Sequence, residues 1–393
     1  MNRRPRPSRL QDFFDTYTRD LTAEDLQRLF TRDTREAYKF FTRGVDADAL
    51  KSLPWHRRAF GHTRVLFLAF TMKLSPARRV VYGAALLLAA IGLFNLFRGI
   101  GIVEIAQLPF VGGVGVPGPL FRQGTWSLLF AFALMNLLVL LEVADRLSLK
   151  NDLEIAREIQ QAMLPSGLYS APGVETVGIS RPANTVGGDF YDILPLEDGR
   201  LVVTVGDVAG KGSPAALLMA LLLAMLRTLV DEKLEPAELV TRLNVQVCRH
   251  APGSRFITLF YAVYEPLTGD MTYVSAGHTP PLLIRADGTC ERLSEGGIAL
   301  GMFDHSAYKT GHLRVQPDEV LAVYSDGVTE AENAAGRPFD EEGLEKALRS
   351  NRTQPITSMG AAIVRTVEHH SADTRLADDL TILLLRRLTI VGV

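Results

Sequence analysis

Short apolar runs separated by polar and glycine-containing segments fill residues 166–393, and they predict strands interleaved with helices. The predicted strands are 174–180, 190–194, 201–205, 256–264, 271–274, 282–284, 320–324 and 382–385, and the predicted helices are 215–230, 236–250, 341–348 and 356–369. Because most strands follow one another directly and the helices come in two pairs, the order favours antiparallel sheets covered by helices. We expect an α+β fold and not a doubly wound parallel sheet.

Two longer apolar stretches precede this region. Residues 80–97 and residues 126–141 are almost free of charge, and the second stretch continues past Glu142. A membrane-spanning helix needs about 20 predominantly apolar residues, so both stretches are transmembrane candidates and the first is the stronger. They predict a two-helix transmembrane hairpin over residues 80–144. The alternative is a pair of buried core helices in a soluble domain.

A third apolar run, residues 215–226, could be mistaken for another membrane span. Arg227 and Asp231 end this run early, and its apolar residues surround the helix nearly completely. A helix that is apolar on all sides is also what a protein core requires. We interpret residues 215–230 as a core helix.

The charge distribution predicts an orientation for the hairpin. Residues 1–79 carry 17 Lys and Arg against 9 Asp and Glu, whereas residues 99–125 carry only Glu104 and Arg122. Because basic flanks stay on the cytoplasmic side, both ends of the hairpin are expected in the cytosol, joined by a short external loop at 99–125 that is rich in Gly and Pro. The net charge of -2 argues against a nucleic-acid binder, and two cysteines indicate a reducing compartment.

The polar stretch that follows the hairpin predicts a linker helix at residues 145–165. Its apolar seam has the 4-3-4-3 spacing of a coiled coil and consists of Leu149, Leu153, Ala156, Gln160 and Met163. Two hypotheses fit this seam equally: a homodimerising signal helix that carries a state change to the next domain, or a monomeric helix that packs one stripe on that domain.

These patterns divide the chain into four parts. We expect residues 1–79 to form an N-terminal cytosolic helical region, either a sensory or partner-binding piece or a small helical cap. Residues 80–144 form the hairpin, 145–165 the linker helix, and 166–393 the α+β domain.

Three carboxylates in the last part, Asp207, Asp326 and Asp378, each stand at the end of a strongly apolar strand. Any one of them could be a turn former or a helix cap. Three in matching settings suit a site assembled by a sheet, where their mutual repulsion requires a cation. Ligands that are all oxygen favour Mg or Mn over Zn. Asp189, flanked by two glycines, is a fourth acidic residue of this kind.

Five ordered motifs carry a family resemblance. They are GGDFYD at 187–192, GDVAGKG at 206–212, SAGH at 275–278, YSDGVTEA at 324–331 and DDLT at 378–381. Together with the lead-in EIQQAMLP at 158–165, they resemble the SpoIIE/RsbU branch of the metal-dependent (PPM, type 2C) serine/threonine phosphatases. The resemblance covers residues 152–388.

The resemblance implies a four-layer αββα sandwich that binds two Mn²⁺ or Mg²⁺ ions, with attack on phosphorus by a metal-bridging water. Asp207 would bridge both ions, and the carbonyl of Val208 would bind one of them. Asp326 and Asp378 would bind the other, and Asp189 would act directly or through water.

The chain departs from the animal and plant enzymes of this family at the place of their proposed general acid, a histidine, where it has Ala209. The proton donor for the leaving group is therefore unassigned, and the family's phosphate-gripping arginine has no clear counterpart. Lys211 and His278 are weak candidates for substrate binding. For Lys211 the alternative is a solvated turn residue, and for His278 a satisfied structural histidine is favoured.

The expected function is that of a multi-pass protein of the bacterial inner membrane, with a protein serine/threonine phosphatase domain in the cytosol. The resemblance implies a phosphorylated anti-sigma-factor antagonist, a small STAS-type domain, as the substrate in a partner-switching pathway. The alternative is a catalytically silent SpoIIE-like binding module that regulates a partner.

Overall fold

A computed structural model of the protein describes residues 71, 74–98, 100–108, 112–119, 125–165, 167–251, 255–371 and 376–389. The predicted N-terminal region, residues 1–79, lies almost wholly outside these residues. The chain divides into two compact units, Met1–Arg146 and Leu147–Val393.

The first unit contains helix α1 (Pro76–Arg98), strands β1 (Ile100–Leu108) and β2 (Gly112–Pro119), and the beginning of helix α2 (Thr125–Met163). The two strands pair in antiparallel fashion along their whole length. The sequence predicts a short external loop at 99–125, since it is rich in Gly and Pro, which are depleted in strands. A two-stranded ribbon consists of edge strands only, and edge strands tolerate both residue types.

Helices α1 and α2 expose most of their apolar surface. The most apolar 18-residue window of α1 is 11% buried and that of α2 is 6% buried. Large side chains such as Leu87, Phe94 and Phe132 are exposed. Helix α1 has 23 residues, so it is about 34 Å long and exceeds the hydrocarbon thickness of about 30 Å. By length and composition both helices can cross a membrane, and so can a third helix, Ser213–Val230.

The second unit begins within α2 and continues as a mixed sequence of strands and helices. Its further elements are β3 (Leu168–Ala171), β4 (Val174–Arg181), β5 (Phe190–Pro195), β6 (Leu201–Val208), α3 (Ser213–Val230), α4 (Pro236–His250), β7 (Ile257–Tyr264), β8 (Asp270–Ala276), β9 (Leu282–Ile284), β10 (Cys290–Arg292), β11 (Gly296–Gly297), β12 (Gly311–Arg314), β13 (Val320–Tyr324), α5 (Asp326–Thr329), α6 (Asp340–Asn351), α7 (Ile356–His370) and β14 (Leu380–Arg387).

The strands form two sheets, which confirms the predicted α+β class. Sheet I has the order β10-β9-β13-β14-β4-β3, and sheet II has the order β11-β8-β7-β6-β5 with β12 paired to β8. Between described strands, the pairing of β11 with β8 is parallel and the other pairings are antiparallel. Antiparallel sheets need no crossover helices, so the helices cover the sheets in pairs.

Three clusters of buried side chains hold this unit together. One joins sheet II to α3 and α4, and another joins sheet I to α6 and α7. The third contains residues of both sheets, such as Val203 and Phe260 from sheet II and Leu321 and Leu383 from sheet I. Successive residues of a strand point to opposite faces, so both faces of each sheet are buried. This explains why the strands read as continuous apolar runs.

Helix α3 is part of this core, as the sequence predicts. Its residues Leu222, Leu223 and Leu226 are fully buried and pack in the cluster with α4 and sheet II. Pro214 stands in its first turn, where the missing amide hydrogen costs nothing.

Candidate metal centre

The strand ends of both sheets bring acidic residues together. Asp207 is the second-last residue of β6, and Asp189 directly precedes β5, the neighbour of β6. Asp326 begins α5, two residues after the last residue of β13, and Asp378 lies two residues before β14, the neighbour of β13. The charges of Asp326 and Asp378 both raise the pKa of Asp207. Carboxylates from sheets I and II therefore form one cluster.

The acidity of the cluster is strongly perturbed. Burial, followed by the charge of Asp326, raises the pKa of Asp207 to about 6. Burial and then the charge of Asp207 raise the pKa of Asp189 well above its usual value, opposed by the nearby hydroxyl of Ser325. The pKa of Asp326 is raised by burial and by the charges of Glu330 and Asp378. Burial is the largest cause of each shift and repulsion between the carboxylates adds to it, and a bound cation would offset both.

One oxygen in the cluster has no partner of its own. Asp189 is 4% exposed, and its Oδ2 is buried without a hydrogen-bond partner among the described residues. A buried carboxylate oxygen without a partner is costly, and a divalent cation would satisfy it. Because the donors are oxygens, the residues present fit a hard ion such as Mg²⁺ or Mn²⁺.

Gly188 allows the backbone to come close to this cluster. A Cβ atom at Gly188 would lie 2.9 Å from the carbonyl oxygen of Val208 and 3.3 Å from Oδ1 of Asp207. The first distance is shorter than real Cβ contacts allow, so a side chain here would displace the Val208 carbonyl. The glycine thus leaves room at the two groups expected to bind metal on β6.

The carboxylates are also engaged with protein donors. Among the described residues, no three Asp, Glu, His or Cys side chains already converge at metal-ligand spacing. Oδ2 of Asp378 lies 2.8 Å from Nζ of Lys211, and Oδ1 accepts a 3.0 Å hydrogen bond from the amide of Asp379. A cation at the cluster would compete with Lys211 for Asp378. Lys211, which the sequence left between a turn role and substrate binding, therefore contacts a predicted metal ligand.

Lys211 also borders a cleft of about 500 Å³ next to the cluster. Its Nζ donates a second hydrogen bond, of 2.6 Å, to the carbonyl of Ala377. Asp378, Glu330 and Asn333 line the same cleft. The cleft therefore opens beside Asp378, a residue of the cluster.

Asp379 supports the loop that carries Asp189. Its Oδ1 accepts a hydrogen bond from the amide of Ala183, and its Oδ2 accepts one from the amide of Gly188, both at 2.7 Å. The side-chain amide of Gln160, near the end of α2, forms hydrogen bonds with the backbone of Gly187 in the same loop. Sequence motifs gave no signal for these contacts, because they join residues that are far apart in the chain.

Gln160 and Met163 occupy the seam positions of the predicted linker helix. Gln160 is buried against Gly187, and Met163 packs on the cluster of α3 and α4. This end of the seam therefore packs on the α+β domain, as the monomeric alternative expects. It also explains why a glutamine stands in an apolar seam.

Asp192, the last acidic residue of the GGDFYD motif, has a structural role. It is buried, and its Oδ2 accepts a hydrogen bond of 2.7 Å from Nε of Arg227 at the end of α3. Its Oδ1 accepts from the amide of Ile193. The carboxylate of Asp192 therefore forms an ion pair with Arg227 and is not part of the carboxylate cluster.

His278, the other weak candidate for substrate binding, lies inside the domain. It is 5% exposed, and its Nδ1 lies 3.0 Å from the hydroxyl of Thr258. Burial lowers the pKa of His278 to about 4, opposed by the nearby carbonyl of Tyr324. This burial agrees with a structural role, but Nε2 has no hydrogen-bond partner among the described residues. The choice between a structural role and substrate binding therefore stays a prediction.

Comparison with solved structures gives the class of this fold. The PP2C domain of SiaA from Pseudomonas aeruginosa superposes with a TM-score of 0.54 at 21% sequence identity, covering 62% of this chain and 98% of that domain. The RsbU and RsbW domains of a Mycobacterium tuberculosis protein superpose with a TM-score of 0.50 at 27% identity, covering 56% and 62% of the two chains. The domain has the PP2C-type phosphatase fold.

Sequence comparison narrows this class to one family. Residues 197–388 match the family of stage II sporulation protein E (SpoIIE). The phosphoserine phosphatase RsbU of Bacillus subtilis is 29% identical over 243 residues, which are 61% of this chain and 71% of RsbU. Protein IcfG of Synechocystis is 27% identical over 277 residues, which are 64% of this chain and 43% of IcfG. The matched region is similar to PPM phosphatase domains of the SpoIIE/RsbU type, in agreement with the motifs.

Proposed function

We propose that this chain is a membrane-anchored, metal-dependent protein phosphatase that acts on phosphoserine or phosphothreonine. The observation that carries the proposal is the cluster of Asp189, Asp207, Asp326 and Asp378. The pKa values of the first three are raised, and Oδ2 of Asp189 is buried without a hydrogen-bond partner among the described residues. Placing several carboxylates together in a partly buried site destabilises their charged forms. A divalent cation bound among them would offset this repulsion. The similarity to RsbU, named a phosphoserine phosphatase, supports the same activity.

The packing clusters support a four-layer αββα arrangement for this domain. Helices α3 and α4 share one cluster with sheet II, both sheets share the next, and sheet I shares the last with α6 and α7. We place the metal centre where the ends of β6, β13 and β14 meet. This position opens to the cleft that Lys211 borders.

Two Mg²⁺ or Mn²⁺ ions, when bound, would supply Lewis acidity and an activated water for attack on phosphorus. Asp207, the Val208 carbonyl, Asp326 and Asp378 would hold these ions. Asp189 is placed to bind directly or through water. Asp189 is buried, whereas Asp207, Asp326 and Asp378 are partly buried and Asp378 lines the cleft.

Lys211 is placed to contact the substrate once a cation has taken over Asp378. Its ammonium group stands at the border between cluster and cleft, 2.8 Å from Oδ2 of Asp378. Ala209 and the buried His278 cannot donate a proton to the leaving group from their positions. We leave that role to solvent in the cleft.

The first unit is proposed as a membrane anchor of two helices. The apolar surfaces of α1 and α2 are exposed as lipid-facing surfaces are. Arg78 at the start of α1 lies 2.7 Å from Asp145 and 3.3 Å from Glu142 on α2, which supports a hairpin. With the basic residues 1–79 inside, the phosphatase domain lies in the cytosol of a bacterium. Extraction of membranes with alkaline carbonate tests the anchor, since a chain released in full would be peripheral.

The substrate class follows from the family resemblance. We propose a phosphorylated STAS-type anti-sigma-factor antagonist, acted on in a partner-switching pathway. The homology to RsbU and RsbP of Bacillus subtilis supports this choice. An unrelated phosphoserine peptide is the comparison substrate, and equal turnover of the two would argue against a dedicated partner.

Phosphate release by the full chain in detergent tests the activity. With Mn²⁺ and a phosphorylated STAS protein, we expect metal-dependent release that Asp207→Asn lowers by about 100-fold or more. Asp198→Asn, an exposed carboxylate on a surface turn, is the matched control. If the folded wild-type chain binds the STAS protein but releases no phosphate with either metal, the chain is the silent binding module.

A further inference from the structure

The last turns of α2 are hydrogen-bonded to the loop that leads to Asp189 in the carboxylate cluster. Nε2 of Gln160 donates a 2.7 Å hydrogen bond to the carbonyl of Gly187, and Oε1 accepts a 3.1 Å bond from the amide of the same residue. Gln160 is 8% exposed. One side chain thus satisfies both backbone groups of one glycine, in a buried setting where neither group has another described partner.

The next residue of the loop is bonded from the opposite side. Gly188 donates to Oδ2 of Asp379, and Ala183 donates to Oδ1. Asp379 adjoins the predicted metal ligand Asp378. The loop that ends at Asp189 is therefore fixed between α2 and the segment before β14.

The end of α2 is itself anchored. Nη2 of Arg227 donates a 2.6 Å hydrogen bond to the carbonyl of Met163, and the hydroxyl of Tyr191 donates a 2.8 Å bond to the carbonyl of Pro165. Met163 and Leu164 pack on the core. Because its helix is fixed in this way, Gln160 presents its amide at a defined position.

The loop has little freedom to shift. A Cβ atom at Gly187 would lie 2.4 Å from Oδ2 of Asp379, and one at Gly188 would lie 2.9 Å from the Val208 carbonyl. A displacement of Gly187 is therefore passed to the groups around Asp189. Hydrogen-bonded residues behind metal ligands set ligand geometry in this manner.

We propose that Gln160 is a positioning residue for the metal centre. By bonding both backbone groups of Gly187, it sets the place of Asp189 and of the Val208 carbonyl, so that metal affinity depends on where the end of α2 lies. The inference rests on the proposed metal-dependent function, and it assigns no contact between Gln160 and substrate.

Binding of Mn²⁺ to the full chain in detergent, measured by calorimetry without substrate, tests this proposal. Gln160→Met keeps the volume of the side chain but removes both hydrogen bonds, and we expect Mn²⁺ binding to weaken by about 10- to 100-fold. Turnover at saturating Mn²⁺ should fall less than turnover at limiting Mn²⁺. Gln161→Met, at the exposed neighbouring position on the same helix, should bind Mn²⁺ as the wild type does.

A second variant covers the case in which Gln160→Met does not fold. Gln160→Asn keeps the amide but is one methylene shorter, so it cannot reach both groups of Gly187, and Mn²⁺ binding should weaken in the same direction. If the folded variants melt at a lower temperature yet bind Mn²⁺ as Gln161→Met does, Gln160 is merely structural and the proposal is wrong. A wild-type chain that neither binds Mn²⁺ nor releases phosphate would instead refute the proposed function.

Discussion

Helices α1 and α3 have the same apolar character but opposite surroundings. Both are long and apolar enough to cross a membrane, yet the apolar window of α1 is 11% buried whereas that of α3 is 39% buried. The buried side chains of α3 pack against α4 and sheet II. Hydropathy predicts that a helix is removed from water, but it does not distinguish burial in lipid from burial in protein.

The ends of α3 show which medium it occupies. Arg227 pairs with the buried carboxylate of Asp192 and bonds the carbonyl of Met163. These partners belong to the same domain, so the last turn of α3 is tied into the phosphatase fold. The contrast predicts that substitutions in α3 act on folding, while equivalent substitutions in α1 do not.

The largest expected effect on stability comes from shortening a buried side chain of α3. Leu222→Ala removes a fully buried side chain and should lower the free energy of unfolding of the phosphatase domain by about 2–5 kcal/mol. Leu87→Ala, at an exposed position of α1, should leave that free energy unchanged. Denaturant unfolding of the full chain in detergent, followed by near-ultraviolet circular dichroism, measures both. Equal losses for the two variants would mean that α1 is also a core helix.

The next largest effect is expected from low pH, which should destabilise the phosphatase domain but not helix α1. The pKa of His278 is lowered to about 4 from 6.5 by burial, so the unfolded chain binds the proton first and stability is lost as pH falls from about 6.5 to 4. The full shift corresponds to about 3 kcal/mol. Helix α1 contains no His, Asp or Glu, so its helical signal should persist over this range.

The raised pKa of Asp207 acts in the opposite direction, because protonation of that carboxyl favours the folded state as pH falls below about 6. The measurement is therefore the difference between the wild type and His278→Asn in unfolding free energy at pH 7 and pH 4. We expect the variant to lose about 3 kcal/mol less. His305→Asn, at an exposed position, is the control, and an identical pH dependence for all three chains would contradict the assignment.

The local sequence pattern was sufficient to predict elements whose structure depends on a single continuous run of apolar residues. Strands β9 and β13 have the predicted bounds, because a continuous apolar run between polar segments suits a doubly buried strand. The ribbon of β1 and β2 was not predicted, since its glycines and prolines are typical of loops. The continuous helix α2 was also divided in the prediction, at the charges that follow Glu142.

The same limit applies to the candidate site. The proximity of Asp207, Asp326 and Asp378 could be predicted because each lies at or next to the end of a strand in a recognisable motif, and their metal-binding role stays a prediction. The bonds of Gln160 to Gly187 and of Asp379 to Gly188 span 27 and 191 residues. No local period encodes such tertiary contacts, so the support of the loop became visible only in the fold.

The smallest effect in free energy distinguishes two glycines, one in each region. Gly188→Ala places a methyl group 2.9 Å from the Val208 carbonyl, and we expect Mn²⁺ binding and turnover to fall by about 10- to 100-fold, or about 1.4–2.8 kcal/mol. Gly83→Ala in α1 meets no heavy atom within 4 Å and should leave both unchanged, since alanine is accepted in a helix. Mn²⁺ titration of phosphate release by the two variants makes the comparison. If Gly188→Ala binds Mn²⁺ as tightly as Gly83→Ala, then close approach of the backbone at Gly188 is not what shapes the metal centre.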